Sequence, residues 1–540
     1  MIKIRTLLLA LLFIPTLMFG QELSKDFTVS VAKPYQVVDA RSKDYLTLDN
    51  GNVIMLKVRG IEAYIQLFDA NQMTEISRNT YKDFPKYAKK IELVKIKNKV
   101  FYIYQAYNKK AKTFTVYSRE INTDEATFSE AKMLFTTTRK ISSSKSSGEI
   151  RYISANSYSG FNSVVPGPKF MVNKSFDDSK LMINYRSYPR ERKDEINYDE
   201  IGFFVFDANM EKIWGKEVKM PYTEAKMDNV SYSVSSKGIA MMLIINKESK
   251  TYEVISVDES GNLKTNNIDI SSEKLVRNMK VKELPSGNFL CAGFYANGIE
   301  FKFIGGNFAW NINGLMYFEV TTDGEVVRNN TYDFTPEFIK QNLSDHQKEK
   351  VAKREAKGKA GILDLFLLKF VVKPDGSAYF IGERQYMQKP LFGSNQYQYR
   401  YENMVMIKVN KDGELAWMKK LPKRQRGYAG IGQMSFSYIE GKTSDYVVYV
   451  DNPKNINLDA SGGVPVAHSD GMGGYLTAYK VDHETGDLEK HTICDLNNIN
   501  GTKAYQFHTA RIVKSSDNVF LMEVYIKKKQ DTMVKMMLNN

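Results

Sequence analysis

The stretch FFVFDANMEKIWGKEV, residues 203–218, runs from an apolar strand through a polar turn into a second strand. The stretch VMIKVNKDGELAWMKKL, residues 405–421, repeats this arrangement. Asp207 precedes Trp214 by seven positions in the first stretch, and Asn410 precedes a second tryptophan by the same seven. Asp and Asn side chains bond to the backbone of turns, and alternating apolar residues are typical of strands. Each stretch therefore predicts a pair of strands joined by a tight turn.

The same strand–turn–strand arrangement recurs along the chain. Further copies are YEVISVDESGNLKTNNI (252–268), MYFEVTTDGEVVRNNTY (316–332) and LTAYKVDHETGDLEKHT (476–492). A more apolar strand recurs between these copies, at residues 51–58, 99–107, 178–188, 237–245, 287–295, 376–386, 445–451 and 517–525. Recurrent short strands in units of this length are typical of a β-propeller, in which each unit forms one blade. We therefore predict an all-β fold, a β-propeller of eight blades.

Two other architectures fit part of the pattern. The second unit, residues 99–137, has an irregular turn, and the count is seven blades if this unit is not a blade. A solenoid or a pair of smaller propellers would also repeat short strands at regular spacing. Both alternatives remain open at the level of sequence.

The ends of the chain favour one closed ring. The last unit ends with MVKMML (533–538) and is one strand short, whereas FTVSVAKPYQVV (27–38) supplies a spare strand. Pairing these two segments would leave no exposed sheet edge, and exposed edges are prone to aggregation. The sequence thus predicts a single propeller domain over residues 21–540.

One segment departs from the strand pattern. Residues 336–358 contain no strand-like run, begin with Pro336 and end with Gly358. Proline suits the first turn of a helix and glycine suits its end. We predict a helical insertion here, in a crossing between blades, that either lies solvated over the propeller or docks a partner.

Residues 1–20 have the pattern of a secretory signal peptide. Lys3 and Arg5 form a basic head, an apolar run extends to Phe19, and Gly20 is the small residue expected before a cleavage site. The alternative is a membrane anchor, but the apolar run is about 14 residues and a spanning helix needs about 20. We expect an exported protein in the periplasm, at the cell surface or in the medium, with no transmembrane segment after cleavage.

Charge and cysteine content narrow the class of protein. The net charge is +14, but the basic residues are scattered among 62 acidic ones, which indicates a solvated basic surface and no nucleic-acid partner. Cys291 and Cys494 lie about two units apart, too far for the geometry of a disulfide. We predict two free, buried thiols.

Four long insertions, at residues 185–202, 295–314, 386–403 and 451–475, identify the candidate binding face. In a propeller, the turns between second and third strands and the crossings between blades emerge on the same face. Loops held by a rigid scaffold are where binding usually occurs. The candidate ligand contacts are Tyr188, Arg190, Trp310, Arg384, Tyr397, Tyr399 and Tyr401. We expect Trp310 and the three tyrosines of residues 397–401 to line one exposed apolar patch.

Signals for catalysis are weak. The five histidines include no HxH or HExxH pattern, so no metal site is predicted, and no GxSxG occurs. The glycine-rich residues 462–474 could hold a phosphate or a calcium ion with Asp459 and Asp470, but a flexible loop is the favoured interpretation. Carboxylates of the first insertion, including Asp199 and Glu200, could serve as an acid–base pair. They could also be a solvated loop beside arginines.

The repeated turn, with Asp207–Trp214 and Asn410–Trp417 as its clearest copies, resembles the turns of β-propeller proteins over residues 27–540. The leader extends this resemblance to exported propellers of unassigned function. The chain has no Trp-Asp dipeptide of WD40 repeats and no double-glycine signature of kelch repeats. What the resemblance implies is a scaffold with a binding face, because function does not follow from fold alone.

The function we expect is an extracytoplasmic binding or assembly module. Its aromatic-rich loop face would hold a protein, a peptide or a glycan. The alternative is a secreted hydrolase or lyase that acts on polysaccharide or peptide from the same face. We expect no cofactor.

Overall fold

The computed structural model describes residues 23–40, 42–142, 168–268, 274–302, 307–388, 398–428, 433–460 and 462–539. The predicted leader, residues 1–20, lies outside this part of the chain. The described residues form eight sheets, and each sheet is one blade. The prediction of an eight-bladed β-propeller is confirmed.

Each blade is an up-and-down sheet of four principal strands, numbered from the centre of the disc outward. Blade 1 comprises Ser42–Thr47, Val53–Arg59, Glu62–Asp69 and Thr74–Tyr81, and blade 2 comprises Lys89–Ile96, Lys99–Asn108, Thr113–Asn122, Thr127–Phe128 and Lys132–Thr137. Blade 3 comprises Phe170–Lys174, Lys180–Arg186, Tyr198–Asp207 and Lys212–Thr223, and blade 4 comprises Met227–Val234, Ala240–Asn246, Thr251–Val257 and Leu263–Ile268. In blade 2, the fourth position is shared by two short strands that both pair with Thr113–Asn122. The irregular second unit is therefore a full blade, and the alternative of seven blades is wrong.

Blades 5, 6 and 8 carry additional short strands, whereas blade 7 has only the four principal ones. Blade 5 comprises Leu275–Glu283, Phe289–Lys302, Asn307–Val320, Val326–Asp333 and Ile362–Leu363, and blade 6 comprises Leu365–Val372, Ala378–Gln388, Gln398–Val409, Leu415–Leu421, Gln425–Gly427 and His468–Ser469. Blade 7 comprises Phe436–Ile439, Ser444–Asp451, Tyr475–Asp482 and Leu488–Asp495, and blade 8 comprises Val513–Ser516, Val519–Lys527, Gln530–Leu538, Phe27–Val31 and Tyr35–Gln36. Two single-turn 3₁₀ helices occupy Pro453–Asn455 and Thr509–Arg511. None of the helices in the described part of the chain is long and apolar enough to cross a membrane.

The core is divided into eight hydrophobic clusters, one between each pair of neighbouring blades. Successive side chains of a strand point to opposite faces of its sheet. In the second strand of blade 4, Met242 and Ile244 accordingly pack toward blade 3, while Met241 and Leu243 pack toward blade 5. The recurrent apolar strands are apolar on both faces because each lies between two other sheets. Both cysteines are buried and free, as predicted.

The repeated turn joins the third and fourth strands of a blade and is followed by a contact with the next blade. Asp207 Oδ1 accepts hydrogen bonds from the amides of Asn209 and Glu211, both at 2.8 Å, which closes the turn. Trp214 then lies in the fourth strand of blade 3 and donates from Nε1 to the Gly238 carbonyl of blade 4 at 2.8 Å. Trp417 likewise donates to a carbonyl of the next blade, that of His483, at 3.1 Å. The seven-residue spacing thus places each indole against the following blade.

The ring is closed by the two ends of the chain, as the sequence predicts. Phe27–Val31 pairs antiparallel with the C-terminal strand, with Phe27 opposite Leu538 and Val31 opposite Val534. This pairing completes blade 8. The N-terminal strand therefore supplies the edge that the last unit lacks.

A buried polar network joins blade 8 to blade 1 beside this closure. Glu523 accepts hydrogen bonds from Lys57 Nζ at 2.5 Å, from Tyr45 Oη at 2.5 Å and from Tyr35 Oη at 2.8 Å. Lys57 and Glu523 are almost completely buried. The ammonium of Lys57 holds the pKa of the Glu523 carboxyl well below its usual range, even though burial acts in the opposite direction. Burial lowers the pKa of Lys57, and burial together with the Glu523 charge raises the pKa of Asp531, so Glu523 is the group that the network holds ionised.

The predicted helical insertion consists of two helices, Pro336–Lys340 (α1) and Asp345–Glu355 (α2). Ser344 begins α2 with a capping box, in which its side chain and that of Gln347 bond to each other's backbone amides. Phe338, Ile339 and Val351 are buried in the cluster between blades 5 and 6. The insertion is therefore packed onto the disc on one side.

We predict that deleting residues 533–540 lowers the melting temperature by roughly 10 °C or more. The deletion removes the strand that pairs with Phe27–Val31, and it exposes edges on both partners. Differential scanning calorimetry of the mature chain measures the change. Unchanged melting would contradict closure of the ring by these strands.

We also predict that Glu523→Ala lowers the free energy of unfolding by about 3–5 kcal/mol, because it leaves the buried Lys57 ammonium with only the more distant Asp531 carboxylate, at 3.7 Å. Adding Lys57→Met should recover part of that loss. The matched control is Asp49→Ala, which breaks an exposed pair with Lys95 and should cost at most about 0.5 kcal/mol. Urea unfolding of five chains (the wild type, Glu523→Ala, Lys57→Met, the double variant and the control) gives these values, and strictly additive effects of the two buried substitutions would refute the coupling.

Candidate functional site

The face that carries the turns between second and third strands, together with the crossings between blades, is here called the insertion face. In blade 5 the strands Phe289–Lys302 and Asn307–Val320 continue beyond the disc as a long hairpin, and in blade 6 Ala378–Gln388 and Gln398–Val409 do the same. Two of the predicted insertions are therefore extended strands for much of their length.

Exposed large hydrophobic side chains are concentrated on the insertion face. Those in its turns, insertions and crossings are Ile61, Tyr87, Tyr188, Ile196, Tyr198, Met387, Tyr428, Val464, Val466 and Met472. Most of the others lie on the outermost strands of the blades. Among the described residues, none lies in a turn of the opposite face. The two faces of the disc therefore differ in chemistry.

Blades 6 and 7 are joined on this face by a small sheet that we call the raised sheet. It consists of the ends of Ala378–Gln388 and Gln398–Val409, followed by Gln425–Gly427 and His468–Ser469. The last two strands are parallel, with Gln425 opposite His468. The insertion of blade 7 is thus hydrogen-bonded to the hairpin of blade 6.

A buried polar network lies beneath the raised sheet. Lys423 Nζ contacts Glu383 Oε1 at 2.6 Å and donates to Gln425 Oε1 at 2.8 Å. Ser435 Oγ donates to the other Glu383 oxygen at 2.7 Å. Burial lowers the pKa of Lys423, and the Glu383 carboxylate opposes that shift. Burial and the nearby Lys423 charge lower the pKa of His468 to about 4, so the imidazole is neutral at pH 7.

Two of the tyrosines predicted to contact a ligand, Tyr399 and Tyr401, lie on the strand Gln398–Val409 in the middle of the raised sheet. Tyr399 is opposite both Met387 and Gly427, and Tyr401 shares its side of the strand. Both rings are half-buried, and burial raises the pKa of each phenol. Tyr397 lies outside the described residues.

Trp310 is held against the disc by the hairpin of blade 5. Its ring is half-buried and packs against the hydrophobic cluster between blades 5 and 6. The residue is anchored by the continued hairpin of blade 5, where its carbonyl accepts from the Asp364 amide at 2.9 Å. Trp310, Tyr399 and Tyr401 are each only partly exposed, and their membership of one shared patch stays a prediction. Their contact with a ligand stays a prediction.

Arg384 lies in an apolar groove between the helices and blade 6. The groove encloses about 270 Å³, with apolar walls and a basic rim. Its lining includes Ile339, Leu343, Val351, Ile362, Leu363, Lys350, Arg354, Arg384 and Lys420. Arg384 pairs with Glu402 and donates to the Leu363 carbonyl at 3.0 Å. The guanidinium is therefore held in place by its own neighbours.

Lys420 attaches helix α1 to the disc. Its Nζ donates to the carbonyls of Ile339 at 2.9 Å and Gln341 at 2.7 Å, at the C-terminal end of α1. Carbonyl acceptors at a helix C-terminus favour a cation. Burial nevertheless lowers the pKa of Lys420 to about 7.

Tyr188 and Arg190 lie in the insertion of blade 3, beside a cleft of about 220 Å³. Tyr188 is 51% exposed, and Lys140 Nζ lies 4.1 Å from the centre of its ring. Arg190 pairs with Glu200 at 3.0 Å. The carboxylate of Asp199 is buried and bonded to Arg186 at 2.7 Å. Asp199 and Glu200, considered as an acid–base pair from sequence, are thus each held by arginine.

The sequence did not reveal two further groups. The first group consists of Asp26, Glu489 and His491, whose oxygen and nitrogen atoms lie close enough to one another to bind one metal ion. Asp26 Oδ2 is 3.2 Å from His491 Nδ1. They meet only because the N-terminal segment closes the ring, so no local motif could have shown them. The second group consists of lysines of the first strands, such as Lys282 and Lys369, which face the central channel. The alternation of polar and apolar residues in KVKE (280–283) was the only sequence pattern that could have indicated them.

No protein-family model and no curated protein matches the chain. Solved structures similar in fold include an uncharacterized protein from Listeria monocytogenes EGD-e, 9% identical with a TM-score of 0.33, over 92% of this chain and 90% of that one. A protein of unknown function from Bacteroides caccae is 10% identical with a TM-score of 0.26, over 66% and 89%. The β-propeller domain of the Trilobed protease from Pyrococcus furiosus is 11% identical with a TM-score of 0.32, over 87% and 99%. The similarity concerns the fold alone.

We predict that Lys420→Met releases α1 without unfolding the propeller. Loss of the hydrogen bonds to the α1 carbonyls should speed amide exchange in residues 336–341 by about ten-fold or more, since a hydrogen bond from a charged group is worth about 1.5–3 kcal/mol. Hydrogen exchange with mass spectrometry measures this rate. Lys419→Met, a neighbouring and more exposed change, is the control. Equal exchange in both variants would show that Lys420 does not hold the helix.

Proposed function

We propose that this protein is an extracytoplasmic binding or assembly module whose insertion face holds a protein partner. The observation that carries the proposal is the distribution of exposed apolar side chains, which occupy turns and insertions of one face and no turn of the other in the described residues. Contiguous exposed apolar surface usually marks an interaction site. The leader-like residues 1–20 support a location outside the cytoplasm.

The insertion of blade 7 is the best-supported contact region. Met472 is 77% exposed, and Val464 and Val466 are also exposed. Tyr428, in the crossing from blade 6, is 47% exposed and follows directly after the raised sheet, which this insertion joins through His468–Ser469. These side chains come from segments that are paired with one another.

This insertion is held in one conformation by its own hydrogen bonds. Asn455 donates from Nδ2 to the Val466 carbonyl and accepts at Oδ1 from the Val466 amide, both at 2.8 Å. Asn452 Nδ2 donates to the Ala467 carbonyl at 2.9 Å. A preorganised loop loses less conformational freedom on binding, and so more of the contact energy remains as affinity.

The surroundings indicate the chemistry of the partner. Arg426 is exposed beside these residues and donates from Nε to Ser469 Oγ at 2.9 Å. Arg424 contributes a second partly exposed guanidinium on the same short segment. An apolar patch with arginines at its border fits a protein surface that is apolar and bordered by acidic side chains.

We predict that Met472→Asp combined with Val466→Asp abolishes capture of the partner from native envelope extract. The immobilised mature chain is the bait, and quantitative mass spectrometry compares captured proteins with those held by the wild type. The double variant should lower specific capture at least ten-fold, because it places two charges in an apolar contact.

The matched control is Ile213→Asp combined with Leu415→Asp, two similarly exposed residues on outermost strands. It should capture the same proteins as the wild type. All chains should melt within about 2 °C of one another, since surface substitutions away from special features change stability little. Equal capture by both double variants would overturn the assignment of the insertion face.

A further inference from the structure

The central channel contains a cavity at the end remote from the insertion face. The first strands of neighbouring blades contact each other around this channel. Where they approach the turns to the second strands, they enclose a cavity of about 410 Å³ with walls from blades 2 to 6. Its lining includes Glu92, Asn173, Phe176, Ser233, Lys282 and Val372. A volume of this size is typical of small-molecule sites.

Lys282 brings a positive charge into this cavity. Its side chain is open to the channel, and the ammonium lies 5.7 Å from the centre of the Phe370 ring. Lys369, on the neighbouring first strand, is also open to the channel. Among the described residues, no carboxylate lies within 4.0 Å of either ammonium. The two lysines therefore face the channel without an anionic partner.

The surrounding protein disfavours these charges. Enclosure of Lys282 lowers its pKa to about 8, and Lys280, Lys369 and Lys174 lower it further by repulsion, while Glu440 of blade 7 partly offsets them. Enclosure also lowers the pKa of Lys369. A cluster of like charges in a protein-lined space is a recurrent property of anion-binding sites.

Two of the three acidic residues that line the cavity, Glu283 and Asp178, are already engaged. Glu283 is buried and accepts the amides of Phe176 at 2.6 Å and Ser236 at 2.7 Å. Asp178 pairs with Lys174 at 2.7 Å. Enclosure raises the pKa of Glu92, with Asp44 adding to the shift and Lys90 opposing it.

We propose that this cavity binds a small organic anion, with an apolar body and a phosphate or carboxylate group. The ammonium of Lys282, supported by the charge of Lys369, holds the anionic group, as lysine does in many phosphate sites. Val372, Phe176 and Val281 provide apolar wall for the body of the ligand. Asn173 and Ser233 supply hydrogen-bonding groups. This site is independent of the insertion face, so either proposal can fail without the other.

The affinity should depend on pH in a defined direction. An anion binds the protonated form of Lys282, and so binding is strong below pH 8 and weakens as the pH rises through that value. A phosphate monoester keeps its second charge throughout this range because its second pKa is about 6. If binding weakens between pH 7 and 9, the cause is therefore deprotonation of Lys282 and not a change in the charge of the ligand.

The test is isothermal titration of the full mature chain with 1-naphthyl phosphate, with 1-naphthol as the uncharged comparison. We expect the phosphate to bind at pH 7 and the naphthol to bind at least ten-fold more weakly. Lys282→Met and Lys369→Met should each reduce affinity for the phosphate at least ten-fold. Lys282→Arg, which keeps the charge, should retain most of it and lose the pH dependence near pH 8.

Lys237→Met is the matched control, because Lys237 is exposed on the same face in the turn of blade 4. It should bind as the wild type does. As a second readout, acetic anhydride labelling at pH 8 should modify Lys282 faster than Lys237, and 1-naphthyl phosphate should slow the labelling of Lys282 alone. Absence of binding, equal binding of the naphthol, equal affinity in the Lys282→Met and Lys237→Met variants, or unprotected labelling would each overturn the proposal.

Discussion

Every blade of this protein is apolar on both faces, and no blade can bury both faces unless the ring is complete. The eight hydrophobic clusters lie between blades rather than within them, so each sheet depends on two neighbours. The cluster between blades 8 and 1 is the one that the chain cannot form from consecutive units. It forms where Leu521 and Met533 of blade 8 meet blade 1, beside Ala32 that follows the closing strand Phe27–Val31. Glu523 binds Lys57 across the same junction. Pairing of the two chain ends is thus the constraint on which the whole disc depends.

The fold could be predicted from sequence because its determinants are local and repeated. The turn at Asp207 needs only its own amides, and the apolar alternation of a buried second strand is visible in a single line of sequence. Eight copies of such signals reinforce one another. The helical segment could also be predicted from sequence, because Pro336 and Gly358 mark its limits. The break between α1 and α2 was not predicted, because it depends on how Phe338 and Val351 pack onto the blades.

The candidate sites were predictable only in part. The sequence identified the insertion face correctly as a surface of long loops, but it gave no way to separate exposed rings from packed ones. Trp310 and Met472 both lie in insertions, yet the first packs on a core cluster and the second is open to solvent. That difference is set by contacts between blades 5, 6 and 7. The lysines of the channel could not be predicted either, because Lys282 and Lys369 are far apart in sequence. Only the circular arrangement of the first strands brings them together.

The closing strand also orders events in time. Residues 27–31 are synthesised long before residues 534–538, with which they pair. The disc therefore stays unfinished until residues 534–538 are available. During that interval the edge of blade 8 has no cover, and Phe27 cannot reach its place against Tyr446 of blade 7. Completion of the fold therefore waits for residues 534–538, and a product truncated before them would carry an open sheet edge.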